Sequence, residues 1–243
     1  MSNRTDSLLD KQYWKEAGKS FTDSRMLAFA GLIAALRVAV KFIQIPVAAG
    51  LYITFDCYVN ALGSIVYGPL MGLAVGAVSD TLGAILAPSG PYFLPFILVE
   101  MLSSFLFGVF FWRKPISVPR ALAARFTVNF ICNIVLTSIF MKWYYYVFYG
   151  LEKAEAYAVI NLVRIVKNLV LFPLEALLIA VVLRAAIPVL RRQRIVPAET
   201  GEIRLEKKHY WLVGVFFLIS VALVVFYVFF LKDYVSVHNL KWF

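Results

Sequence analysis

Arg37, Lys41 and Gln44 follow one another at spacings of four and three in a stretch that is otherwise apolar, so all three share one face of a helix. Asn161, Arg164, Lys167 and Asn168 repeat that pattern further along. Asp56, Asn60 and Ser64 make a third stripe and Asn129, Asn133 and Thr137 a fourth, while Asp80 and Glu100 each stand alone in an apolar run. An ionisable group inside hydrocarbon costs at least a few kcal/mol unless its end reaches water. Each is therefore expected to pair with an opposite charge and hold helices together, or to face a bound polar ligand. A carboxylate can accept two parallel hydrogen bonds from an amino-substituted heterocycle, and Arg or Lys can hold an anionic group. Arg125 and Arg184 lie where they can snorkel to water. Neither His209 nor His238 falls inside an apolar run, and no aspartate-rich motif for metal and diphosphate occurs. No catalytic residue and no metal site are expected.

The elements that must carry these stripes follow from composition. Of the 243 residues, 62% are hydrophobic and 16% charged, against about 45–50% and about 25% in soluble domains. That balance excludes a soluble domain, and 21 Phe, 13 Tyr and 5 Trp exclude a disordered chain. Two cysteines are too few for a disulfide scaffold, and Cys57 and Cys132, both inside apolar stretches, read as small buried side chains. Seven apolar segments are long enough to cross a bilayer as helix: Met26–Gln44, Leu51–Tyr67, Leu70–Ala87, Pro95–Trp112, Ala121–Tyr149, Ala154–Leu190 and Trp211–Leu231. Pro46 and Gly50, Gly68-Pro69, Pro88 to Pro91, Pro115 to Pro119 and Gly150 punctuate them.

The net charge of +10 is read as topology, not as a nucleic-acid surface. With the N-terminus inside, 14 basic residues face the cytoplasm, among them Lys11, Lys15, Lys19, Arg113, Arg191 and Arg192, and only Lys142, Lys153, Lys232 and Lys241 face out. The C-terminus is then extracellular. In that orientation Arg37, Lys41, Asp56, Asp80, Glu100, Asn161 and Arg164 fall in the outward half of the bilayer, which predicts a ligand pocket open to the outside. Residues 1–25 read as a cytoplasmic tail or surface helix, with Leu8, Leu9, Tyr13 and Trp14 as the apolar side of the latter. On the first segment Ala28, Gly31, Ala35 and Ala39 form a stripe of small residues roughly opposite Arg37, suited to close approach by another helix, within this chain or outside it. Gly72 and Gly76 suit internal packing.

Four runs in order carry a family resemblance: Ala35-Leu-Arg37-Val-Ala-Val-Lys41-Phe; Tyr67-Gly-Pro69-Leu-Met-Gly72; Asp80-Thr-Leu-Gly83 followed by Pro88-Ser-Gly90-Pro91-Tyr92-Phe93; and Leu162-Val-Arg164-Ile-Val-Lys167-Asn168 followed by Phe172-Pro173-Leu-Glu175. From about Met26 to Arg184 the chain resembles the substrate-binding S components of energy-coupling factor vitamin transporters, the folate group in particular. The resemblance implies a six-helix bundle that captures a vitamin outside and docks on a membrane coupling subunit driven by two cytoplasmic ATPases. It carries the docking role over to Ala28, Gly31, Ala35 and Ala39. It also implies that ATP is used by the partners and that this chain binds no cofactor. After the third segment the folate group tends to read Tyr-Phe-Pro-Gly-Phe, whereas this chain reads Tyr92-Phe93-Leu94-Pro95-Phe96.

The fold expected is thus an all-α integral membrane protein of a bacterial cell membrane. A six-helix substrate-binding domain at 26–190 precedes a basic cytoplasmic linker at 191–210, one extra transmembrane helix at 211–231 and an extracellular tail at 232–243. The function expected is folate or folate-like capture without catalysis. The expected ligand contacts are Arg37, Lys41, Asp56, Asp80, Tyr92, Phe93, Asn133, Arg164, Lys167 and Asn168, with Gly90 as the hinge of a closing loop. Another heterocyclic vitamin or a deazapurine precursor is the alternative ligand. An intramembrane enzyme and a purely structural assembly protein are the alternatives of other classes.

Overall fold

The structure, a computed structural model, describes residue 8, residues 10–48, 51–88, 91–156, 162–196 and 207–227, and residue 229. Gly90, Asn161, residues 197–206 of the basic linker and the 232–243 tail lie outside these residues.

The described residues are mainly helical. Asp10 opens α1 (Lys11–Lys19), its carboxylate accepting from the Gln12 amide at 2.9 Å, and Asp23 opens α2 (Ser24–Lys41) in the same way on Arg25 at 2.8 Å. Helix α1 turns Tyr13 and Ala17 onto Trp112, with Tyr13 and Trp112 edge to face at 5.0 Å and Glu16 paired with Arg113. The first segment does not continue to Gln44. After Lys41 the chain enters an antiparallel hairpin, β1 (Gln44–Ala48) and β2 (Leu51–Thr54), with Ile45 opposite Ile53 and an irregularity between Pro46 and Ala48. Leu51–Thr54, expected as helix, is therefore strand. The β-branched Ile53 and Thr54 favour a pleated strand, and Pro46 lies within β1, not between helices; Gly50 lies outside the described residues.

Helix α3 (Asp56–Leu86) doubles back on itself at Gly68, whose φ of 81° and ψ of −177° are open to glycine and strained for other residues. The reversal is fixed by α4 (Phe96–Phe111). The Ser64 hydroxyl donates to the Ser104 carbonyl at 3.2 Å, and a Cβ at Gly72 would sit 3.1 Å from the same oxygen. Residues 56–67 and 69–86 are thus two antiparallel arms joined without a loop, as Gly68-Pro69 predicts. Gly76 lies so close to α4 that a Cβ would fall 2.7 Å from the Glu100 carbonyl, and Gly108 equally close to Pro69, so small residues here serve internal packing.

Helix α5 (Val118–Val128) is capped by Ser117 and runs through a wider π-helical stretch, Asn129–Leu136, into α6 (Thr137–Tyr149), which Gly150 ends at φ 88°. Short α7 (Leu151–Ala156), long α8 (Leu162–Arg192) and α9 (Lys207–Phe226) follow. Of the sixth expected segment, Ala154–Leu190, residues 154–156 fall in α7 and 162–190 in α8, and 157–161 lie outside the described residues. Helix α9 packs along α8. The principal core joins Ile65, Phe107, Phe111, Val118, Val128, Ile179 and Leu183 from α3, α4, α5 and α8. Among the described residues three helices are long and apolar enough to cross a membrane: Asp56–Leu86, Val118–Tyr149 and Arg164–Arg192. Phe96–Phe111 and Phe217–Phe226 are shorter apolar helices. An all-α membrane bundle is the result, with the small hairpin as its exception; a count of seven spans does not follow from it.

Candidate functional site

At the hairpin end of the bundle a cavity of about 960 Å³ opens between α2, the hairpin, α3, α4, the α5–α6 rod and α8. That volume is at the upper end of small-molecule sites, about 300–1,000 Å³. Eight of the ten expected contacts line it: Lys41, Asp56, Asp80, Tyr92, Phe93, Asn133, Lys167 and Asn168.

Arg37 and Arg164 do not. Arg37 is wholly buried behind the wall, where its fork is already filled. Nε and Nη2 donate to the two oxygens of Asp56 at 2.9 Å each, Nη2 also to Glu100 Oε2 at 2.5 Å, and Nη1 to Ser104 Oγ at 3.1 Å. Arg37, expected as a ligand contact, is instead a three-helix tie: one guanidinium joins α2, the start of α3 and α4. Sharing a helical face with Lys41 placed it toward the polar helices, but those helices supply its partners themselves. Arg164 lies one turn beyond the wall that Lys167, Asn168, Leu171 and Glu175 form at spacings of one, three and four, and contributes its carbonyl to the Asn168 side chain at 2.8 Å.

Lys41 and Asp80 lie side by side in the cavity lining at 3.9 Å, a long ion pair that leaves Asp80 Oδ2 buried with no hydrogen-bond partner among the described residues. An acceptor in that state costs about 1–3 kcal/mol until something donates to it. On the opposite wall the π-helical stretch turns Asn133 and Thr137 inward. The Asn133 amide donates to Asn129 Oδ1 at 3.0 Å and Asn129 to the Asn168 carbonyl at 3.2 Å, which couples that wall to α8. Tyr92 reaches Thr81 with its hydroxyl at 3.4 Å, and Phe93 is buried edge to face with Phe96, Trp143, Tyr144 and Phe148. Phe93 therefore anchors the segment after Pro91 to α6 and gives the cavity an aromatic side.

Several lining groups were not singled out by sequence. Arg125, read as snorkelling, is buried and paired with Glu175 at the floor of the cavity, and its Nε has no hydrogen-bond partner among the described residues. Its distance from helix ends gave the wrong answer because the acid that holds it lies fifty residues away. Tyr52 and Thr54 arrive on the hairpin, and Tyr144, Tyr145, Tyr149 and Lys153 from the end of the rod. The run of aromatics Trp143 to Tyr146 was visible but indistinguishable from an interfacial belt.

The small stripe faces the other way. Ala28, Gly31, Ala35 and Ala39 are all exposed, together with Leu27, Leu32 and Leu36, whereas Ala30 and Ala34 are buried. No atom of the described residues lies within 4 Å of a Cβ built on Gly31. Among the described residues, then, none packs on the stripe.

Apolar helices enclosing a polar, one-sided cavity with both charges and aromatics define a membrane protein built to bind a small polar solute. Residues 25–183 match the family described as "ECF transporter, substrate-specific component", and the chain belongs to that family. It is 31% identical over 137 residues to the folate transporter FolT of Clostridium novyi (strain NT), covering 56% of this chain and 73% of that one. With the folate transporter FolT of Leuconostoc mesenteroides subsp. mesenteroides it shares 25% over 154 residues, 63% and 81% of the two chains. A crystal structure of FolT bound with folic acid superposes with a TM-score of 0.52 at 25% identity, covering 63% of this chain and 88% of that one.

Proposed function

We propose that this chain is the solute-capturing subunit of an importer for folate or a folate-like compound, and that the cavity at the hairpin end is its binding site. The carrying observation is Asp80 Oδ2, a buried acceptor in the cavity wall that lacks a donor. An aminopyrimidine edge supplies two parallel N–H groups to such a carboxylate. Tyr92 and Phe93 lie on the same α3–α4 side of the cavity for stacking, and Lys41, Lys167 and Lys153 offer cations to the carboxylates of the ligand. Asp56 is engaged with Arg37, so its contribution is to hold the wall. Membership in a transporter family and the likeness to folate transporters support capture over catalysis.

In this reading the hairpin end faces outward and α1 lies on the cytoplasmic side, as the distribution of basic residues requires, with the N-terminus inside and the C-terminus outside. The exposed small stripe of α2 is the surface on which a membrane coupling subunit packs, and two cytoplasmic ATPases bound to that subunit supply the energy; this chain holds no cofactor. Titration of the purified protein with folic acid tests the site. Asp80→Asn should weaken binding by about tenfold or more, since one of two parallel charge-assisted bonds becomes a neutral or mismatched one, while thermal stability without ligand holds. Unchanged affinity in the variant removes Asp80 from the site, and no folic acid binding by the wild type removes the ligand.

A further inference from the structure

Helix α9 and the residue that follows it lie beyond the family match at 25–183, yet their far end reaches the cavity wall. Tyr227 is fully buried, in one cluster with Val170 and Leu171 of α8. Val166, Leu223 and Val224 pack on that cluster, and so does Ile53 of β2. One of these groups lines the binding site and a second stands between two that do. Leu171 lines the cavity, and Ile53 stands between Tyr52 and Thr54, which line its mouth. The remainder of α9 is of another kind: Trp211, Phe217, Leu218 and Phe226 are exposed, as expected for a lipid-facing helix.

We infer that Tyr227 is a positioning residue for the solute cavity, clamping α8 and the β1–β2 hairpin into one wall, so that the added helix tunes how long a ligand stays bound. The physical basis is the isolation of the hairpin. It has only two strands, and a two-stranded hairpin is marginal without a further apolar surface beneath it. Ile45, on the strand opposite Ile53, is exposed, so Ile53 carries the hairpin's apolar contact at this register, and Tyr227 completes the cluster that receives it. A tyrosine ring buries about 150–250 Å²; removing it leaves a void between Leu171 and the lipid side and frees the hairpin to open.

The inference rests on the reading of the cavity as a ligand site, but one of its two readouts needs no ligand. In the full-length protein in lipid nanodiscs, Tyr227→Ala should speed amide hydrogen exchange across residues 44–54 by about tenfold, as expected when a local opening becomes easier, and leave exchange in α4 unchanged. Folic acid should dissociate faster by a similar factor, with a smaller change in its association rate. Tyr227→Phe, which keeps the ring, should restore most of both, and Leu218→Ala, at an exposed position of α9, should change neither. Unaltered hairpin exchange in a folded Tyr227→Ala protein overturns the inference, as does uniform loosening that includes α4, or a Phe variant as loose as Ala. If the hairpin loosens as expected but the wild type binds no folic acid, the clamp stands and the ligand assignment fails.

Discussion

Arg37 shows how a single side chain decides between two roles that its type and spacing leave open. Its guanidinium donates to both Asp56 oxygens and to Glu100 and Ser104 as well, so four of its five N–H donors are used between the helices and the side chain does not line the cavity. Removing it strands two acids in a half-buried wall, and losing one partner of a buried pair costs about 3–5 kcal/mol. Arg37→Ala should therefore lower the melting temperature of the ligand-free protein markedly, before any ligand is added. A variant that melts like the wild type but fails to bind folic acid would return Arg37 to the site. Asp80 presents the opposite case, a carboxylate whose 3.9 Å partner and unmatched oxygen leave it available. The polar stripes made both residues visible. Which of them was satisfied internally was not legible, because Asp56, Glu100 and Ser104 lie 19 to 67 residues away from Arg37.

Among the elements, the looplessness of α3 places the heaviest demand on sequence. A Cβ on Gly68 would meet the Trp112 ring at 2.9 Å, on a backbone conformation already strained for other residues. Gly68→Ala should cost about 1–3 kcal/mol through overpacking and strain, read as a fall in melting temperature with folic acid affinity nearly kept, since the bend is at the end of the bundle opposite the cavity. Equal stability of the two proteins would mean that the bend adjusts freely. Gly68-Pro69 announced this reversal in the sequence, and the helical stripes on α2, α3 and α8 were equally readable. The hairpin was not: five of its nine strand residues, Gln44 and Leu51–Thr54, lay within two apolar runs long enough for helix and the other four in the connection between them, and hydropathy cannot distinguish a buried strand from the end of a span. The π-helical stretch at 129–136 left no trace either, since its signal is a hydrogen-bond register and not a composition. On α2 the two faces are cleanly divided, and Ala35→Leu with Ala39→Leu should leave folic acid binding and stability unaltered while abolishing uptake in cells carrying the coupling subunit and ATPases. Poor binding by the isolated double variant would contradict the outward placement of the stripe, and normal uptake would locate docking elsewhere.

At the scale of the whole molecule the cavity, the buried pairs and the small stripe divide the protein into an inward-looking recognition side and an outward-looking α2 surface, with α9 laid against the far wall on α8. The composition foretold membrane residence and the order of the apolar segments, and family likeness supplied the bundle; the depth and floor of the cavity came only with the packing of Arg125 on Glu175. Helix α2 has 18 residues and α4 has 16, about 27 and 24 Å of helix, whereas the continuous rod from Val118 to Tyr149 has 32 residues, about 48 Å. The protein is therefore thin on the flank that bears Ala28, Gly31, Ala35 and Ala39 and thick on the other, and a bilayer with about 30 Å of hydrocarbon must pinch inward along α2. Lipids compressed there are released when another helix covers that flank, so the bilayer itself pushes toward assembly. Reconstitution in short-chain and long-chain phosphatidylcholine should show it: association with the coupling subunit should strengthen as the acyl chains lengthen, while folic acid affinity of the isolated chain stays level, and an association indifferent to chain length would show that the pinch is absent.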